Sequence, residues 1–198
     1  MKDTLFRLSM ACLLVGIAAA IFAPAEKTLG KILSLIYLHI GFVYGALLLF
    51  LVSTFSAAVF LLRRRLKFLS LSETAFRLAF VAWVVYLVLS ALIAIMSWGS
   101  INWQEPRWII GVNIFFFSMM AVLVAWWLGR EKAVYLYLPA GILFVLYWST
   151  RTSQLHPYAP IRMSESAAIK ATAVVSVVAT VISLLLLALA IVQREVEA

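Results

Sequence analysis

Trp98-Gly99-Ser100-Ile101-Asn102-Trp103-Gln104-Glu105-Pro106-Arg107-Trp108 lies between two long apolar segments, near 75–97 and 109–128. It holds three tryptophans, an acid-proline-arginine turn and few aliphatic side chains. A polar, aromatic interruption of this kind marks a place where a chain leaves one membrane helix and enters the next. Outward from it the same alternation recurs. Six stretches approach or exceed the roughly 20 apolar residues needed to cross the hydrocarbon layer. They lie near 5–24, 33–61, 75–97, 109–128, 133–149 and 167–192.

The composition agrees. Of 198 residues, 66% are hydrophobic and 12% charged, against roughly half apolar and a quarter charged in soluble domains. Lipid forces backbone groups to pair within helices or closed barrels, and uninterrupted apolar runs are not the short alternating strands of a barrel. The sequence therefore predicts an all-α, polytopic membrane protein, one domain over 1–198 with six transmembrane helices.

The net charge of +8 is explained by the positive-inside bias of membrane proteins rather than by nucleic-acid binding. With the N-terminus inside, Lys2, Arg7, Arg63, Arg64, Arg65, Lys67, Arg77, Arg130, Lys132 and Arg194 form the inner set, ten of sixteen. Lys27, Lys31, Arg107, Arg151, Arg162 and Lys170 form the outer set. The tight run Arg63-Arg64-Arg65-Leu66-Lys67 decides the orientation: both termini are expected to be cytoplasmic, with outer loops near 24–32, 98–108 and 150–166. The inner connections, 62–74 and Gly129 to Lys132, leave no room for a cytoplasmic catalytic domain. The first span, at about 16 apolar residues, is long for a signal-peptide h-region and is read as a retained helix. Cys12 is the only cysteine, which excludes an intramolecular disulfide, a CxxC pair and a C-x-x-C-H haem attachment within the chain.

The unusual chemistry falls on the outer side. His39 lies about six residues into the second span, roughly 9 Å below its outer end at 1.5 Å per residue. His156 lies in the third outer loop before Pro157, on the same side. An ionisable residue within a membrane helix is a functional candidate by default, although a single histidine also serves in packing. Zinc in a catalytic site generally wants a third protein ligand, and the outer acids are only Glu26, Glu105 and Glu165. Haem asks less: up to two axial side chains, an apolar slot and cations for its propionates. His39 and His156 are the candidate axial ligands, and Arg107, Arg151 and Arg162 the candidate propionate partners, since guanidinium pairs bidentately with carboxylate. Trp98, Trp103 and Trp108 serve either as interfacial anchors or as a platform for a flat apolar cofactor. Gly41-xxx-Gly45-Ala46 reads as a close helix contact, and Asn113 as an interhelical hydrogen-bonding group.

These residues resemble the cytochrome c assembly protein family. Lys31-Ile32-Leu33-Ser34-Leu35-Ile36-Tyr37-Leu38-His39-Ile40 is similar to its Tyr-x-His segment at the start of the second helix. Leu155-His156-Pro157 falls where the family has its second histidine. Trp98-Gly99 and Glu105-Pro106-Arg107 resemble its outer loop, W-G-x-x-W-x-W-D-P-R, with Glu105 for the aspartate and with Asn102 and Gln104 at the two later tryptophan positions. Gly41 stands where many members have proline.

The resemblance implies a haem chaperone of the bacterial cytoplasmic (inner) membrane rather than an enzyme. It would hold haem b transiently and without a covalent bond, through His39 and His156. It would present the haem to a periplasmic acceptor chaperone of the CcmE type, beside CcmA- and CcmB-like transporter subunits and a small CcmD-like subunit. Two other readings stand beside it: a structural or transport subunit whose histidines pack or gate, and a membrane-bound haem redox protein.

Overall fold

The computed structural model describes residues 2–150 and 160–197. Its helices are α1 (Lys2–Ile21), α2 (Leu33–Arg63), α3 (Leu66–Trp98), α4 (Pro106–Leu128), α5 (Arg130–Thr150), the short α6 (Pro160–Met163) and α7 (Ala167–Glu197). Six of them, all but α6, are long and apolar enough to cross a membrane. Among the described residues there is no strand, only an isolated bridge between Glu26 and Gly30. The protein is an all-helical, multi-pass membrane protein.

The main departure from the expected boundaries is at the first inner connection. Instead of a loop over 62–74, α3 begins at Leu66 and the break is Arg64–Arg65 alone. Hydropathy measures transfer into lipid, whereas a helix continues wherever its backbone bonds and side-chain contacts permit. Here Leu69, Ser70, Ser72, Glu73 and Phe76 are buried, and Ser53 and Ser72 exchange hydrogen bonds, each hydroxyl donating to the other's carbonyl at 2.8 and 3.0 Å. At the expected tight turn, Gly129 (φ 82°) separates α4 from α5. Arg64 takes the left-handed region at φ 51°, which costs an L-residue about 1–2 kcal/mol.

In the centre α2 packs on α1, α3, α5 and α7, while α1 lies mainly against α7 and α4 against α5 and α3. Small residues make these approaches close. A Cβ on Gly41 would sit 2.8 Å from Thr180 Cβ, and one on Gly45 would meet the end of Leu184; α7 is thus the helix that the Gly41–Gly45 pattern admits. A Cβ on Gly141 of α5 would strike the Phe50 carbonyl. Lipid tails are as apolar as leucine, so such packing and interhelical hydrogen bonds do the work of association. Ser9 donates to Ser183 O (2.9 Å), Thr54 to Tyr137 O (3.0 Å) and Tyr37 to Ile169 O (3.1 Å). Asn113 Nδ2 donates to the Tyr147 hydroxyl at 2.9 Å, joining α4 to α5 as expected.

One end of the bundle is held by charge. Buried Glu73 accepts from Arg77 and from Arg130 at 2.5 Å each. Arg130 also reaches Glu195 at 3.2 Å, and Ser70 donates to Glu195. Asp3 and Arg194 pair at 3.5 Å, so the start of α1 and the end of α7 lie side by side. Trp126 and Trp127, 81% and 79% exposed beside Gly129, fit an interfacial aromatic belt.

Replacing Gly141 with Ala should destabilise the bundle by about 1–3 kcal/mol, because the obstacle is backbone. Gly45→Ala should cost less, because the Leu184 side chain can turn away. Denaturant unfolding in a neutral detergent checks the order of the two.

Candidate functional site

At the end of the bundle opposite the Glu73 network lies a cavity of about 610 Å³, within the roughly 300–1,000 Å³ of small-molecule and cofactor sites. One wall is α2, with Ile36, His39, Ile40 and Val43. The facing wall is α3, with Tyr86, Ser90, Ile93 and Ser97. The connection from Gly99 to Glu105 and the first turn of α4 add Asn102, Glu105, Arg107 and Trp108. Thr28 and Leu29 of the first connection and Ile161 and Arg162 of α6 complete it.

The tryptophan-rich stretch takes its shape from helix-end chemistry. Gly99 closes α3 at φ 76°, its N–H donating to Ile95 O at 2.9 Å, a position that favours glycine. Asn102 Oδ1 then accepts from the Gln104 N–H at 3.0 Å, and Asn102 O from the Glu105 N–H at 3.1 Å. Glu105 stands at the N-terminal boundary of α4, without a side-chain capping bond, and Pro106 opens the helix. Proline fits there because its missing N–H has no helical partner in any case, and the acid lies at the positive end of the helix dipole. The glycine and the Glu-Pro pair are thus accounted for by folding. The first connection is also a built turn, with Glu26 Oε2 accepting from the Thr28 and Leu29 N–H groups at 2.8 Å each.

Five of the sequence-selected residues, His39, Trp98, Arg107, Trp108 and Arg162, line this one cavity. Trp103 does not; it stands edge-on to Trp108, ring centroids 5.9 Å apart, and is 68% exposed. Arg151 and His156 lie outside the described residues. Tyr44 and Trp148 also border the cavity.

Beneath the cavity runs a chain of rings. The His39 imidazole lies 4.8 Å from the Tyr86 ring, and Trp148 meets Tyr86 and Trp83 edge-on at 5.7 and 5.4 Å. Arg107 stacks its guanidinium 4.7 Å over Trp148 and donates to the Trp148 carbonyl at 2.6 Å. Trp83 Nε1 donates to Gly111 O at 2.9 Å, fixing α3 to α4. Tyr86 is the residue that sequence reasoning missed. Its signal was periodic: Trp83, Tyr86, Ser90 and Ser97 recur at helical spacing on one face of α3.

Buried polar atoms normally have partners. Here His39 Nδ1, Ser97 Oγ, Arg107 Nε and Trp108 Nε1 are buried without a hydrogen-bond partner, and all four residues line the cavity. The lining carries two cations, Arg107 and Arg162, against one acid, Glu105. Among the described residues no three His, Cys, Asp or Glu side chains come close enough to hold a metal ion. Compared with family models and with curated proteins, the chain matches none.

Arg107→Lys keeps the charge but gives up the planar stack and its fixed donor geometry. It should lower stability by about 1 kcal/mol, read as an earlier unfolding transition, while Arg162→Lys at the exposed rim should leave that transition in place.

Proposed function

We propose that this protein is a haem-handling membrane chaperone resembling CcmC of the cytochrome c maturation system. The observation that carries the reading is the convergence of His39, the tryptophan-rich stretch, Arg107 and Arg162 on one largely apolar cavity. Haem as cargo fits the donor set. It offers an iron to an imidazole nitrogen such as the unpartnered Nδ1 of His39, flat apolar faces to Trp98 and Trp108, and two carboxylates to Arg107 and Arg162. His156 would supply the second axial nitrogen.

In this reading α2 and α3 set the depth of His39, and the ring chain through Tyr86 and Trp148 holds the imidazole and Arg107 in register. Arg107 keeps its unpartnered Nε for an anion while its other side is used by Trp148. In this reading the cavity faces the periplasm of a bacterial inner membrane and both termini face the cytoplasm, an orientation that the Arg63–Lys67 cluster supports. Haem b bound there without a covalent bond is available for transfer to a CcmE-like acceptor, with CcmA-, CcmB- and CcmD-like subunits as partners.

Purified from cells supplied with haem, the protein should show Soret absorption, reduced in His39→Ala and in His156→Ala. No absorption in the parent, or unchanged haem in both variants, overturns the proposal. Arg107→Gln should lower haem retention more than Arg64→Gln, measured as haem per protein after gel filtration. Haem that leaves on incubation with an acceptor chaperone supports transfer, and haem that never moves favours a redox protein.

A further inference from the structure

The break between α2 and α3 exposes four cations, Arg63, Arg64, Arg65 and Lys67. Leu62 and Leu66 stand among them, 84% and 68% exposed. At the same end of the bundle Arg77, Arg130 and Arg194 are paired with Glu73, Glu195 and Asp3. The four turn cations have no acidic partner among the described residues. Aromatic rings hold two of them instead: Arg64 lies 5.7 Å over Phe60 and Lys67 5.1 Å over Phe68.

The backbone adds an independent observation. Three helices end on a residue of positive φ: α3 on Gly99 at 76°, α4 on Gly129 at 82°, and α2 on Arg64 at 51°. Where the other two ends use the unstrained residue, this one keeps an arginine. It is the only non-glycine residue with positive φ among those described. A backbone outlier of this kind is grounds for a functional hypothesis at Arg64.

Its reach is right for one partner. The 31 residues of α2 span about 46 Å at 1.5 Å per residue. A bilayer measures about 40–45 Å with its headgroup layers included. The cations therefore emerge at headgroup level, with two leucines beside them to enter the acyl boundary.

We propose that the α2–α3 turn is a binding site for the phosphate headgroups of anionic phospholipids, engaged by Arg63, Arg64, Arg65 and Lys67. The site is independent of the cavity at the other end of the bundle. Clustered juxtamembrane cations draw anionic lipid in this way.

The test uses the full-length protein in neutral detergent, with phosphatidylglycerol or phosphatidylcholine added and bound lipid counted by native mass spectrometry. Phosphatidylglycerol should be retained preferentially, and the preference should fall as salt is raised. Each cation changed to Gln should weaken it about fivefold at low salt. Arg63→Lys, Arg64→Lys and Arg65→Lys together should keep it, as should Lys27→Gln with Lys31→Gln on the opposite face.

Arg64→Gly separates strain from binding: it should raise the unfolding temperature without lipid and reduce the phosphatidylglycerol preference. It also carries the test should a Gln variant not fold. Equal retention of the two lipids overturns the proposal, as does an undiminished preference in Arg64→Gly and the Gln variants. An equal response to inorganic phosphate alone assigns the site to a free anion and overturns it too. So does a turn that ignores both lipids and instead captures an acidic protein.

Discussion

The close approach of α2 to its neighbours is the constraint on which the rest of the structure depends. Gly41 and Gly45 admit α7, and Gly141 lets α5 ride against the Phe50 carbonyl. Without a hydrophobic force between helices in lipid, dispersion at short range and hydrogen bonds such as Ser53 with Ser72 and Thr54 with Tyr137 must hold the bundle. A bulkier residue at Gly41 would push α7 away at a point two residues from His39 on α2. The packing that makes the fold also sets one wall of the cavity.

Among the described residues, several buried polar groups are left without partners together at the cavity. Elsewhere Ser9, Ser53, Thr54 and Thr180 are satisfied by carbonyls one helix away or one turn back, and the unpartnered hydroxyls of Tyr137 and Ser176 stand apart from the cavity lining. At the cavity His39, Ser97, Arg107 and Trp108 each keep a buried nitrogen or oxygen unused. Desolvating such groups without recompense costs stability, and their grouping around an apolar space is what the proposed haem site rests on. The aromatic ladder from His39 through Tyr86 to Trp148 and Arg107 holds two of those groups in place.

Much of the fold was legible because each signal is physical and local. Apolar runs gave the number of spans, Gly129 the tight turn, Gly41 and Gly45 a close contact, and Asn113 an interhelical bond. What was not legible came from contacts that no local rule reports. The N-terminal extension of α3 rests on Ser72 meeting Ser53 and on Glu73 meeting Arg130, which lies more than fifty residues away in the chain. The tryptophan-rich stretch was read for its composition. Its glycine and Glu-Pro pair turned out to end one helix and start another, so only Trp98 and Trp108 remain at the cavity while Trp103 leans outward. Tyr86 was passed over because a tyrosine in an apolar helix carries no signal until its neighbours on the same face are set beside it.

The two ends of the bundle differ in what holds them, and that difference bears on where the molecule can open. Around Glu73 three helices are tied by charge-assisted bonds: α3 through Glu73 and Ser70, α5 through Arg130, α7 through Glu195. Such bonds are roughly twice as strong as neutral ones, and Glu73 is shielded from water. At the cavity end α4 is joined to its neighbours through Trp83 with Gly111, Arg107 with Trp148 and Asn113 with Tyr147, and α6 is a single turn. Local opening follows the weakest set of contacts; between α3 and α4 at the cavity end the described side-chain hydrogen bond is that of Trp83 with Gly111, whereas the Glu73 end is cross-linked across three helices.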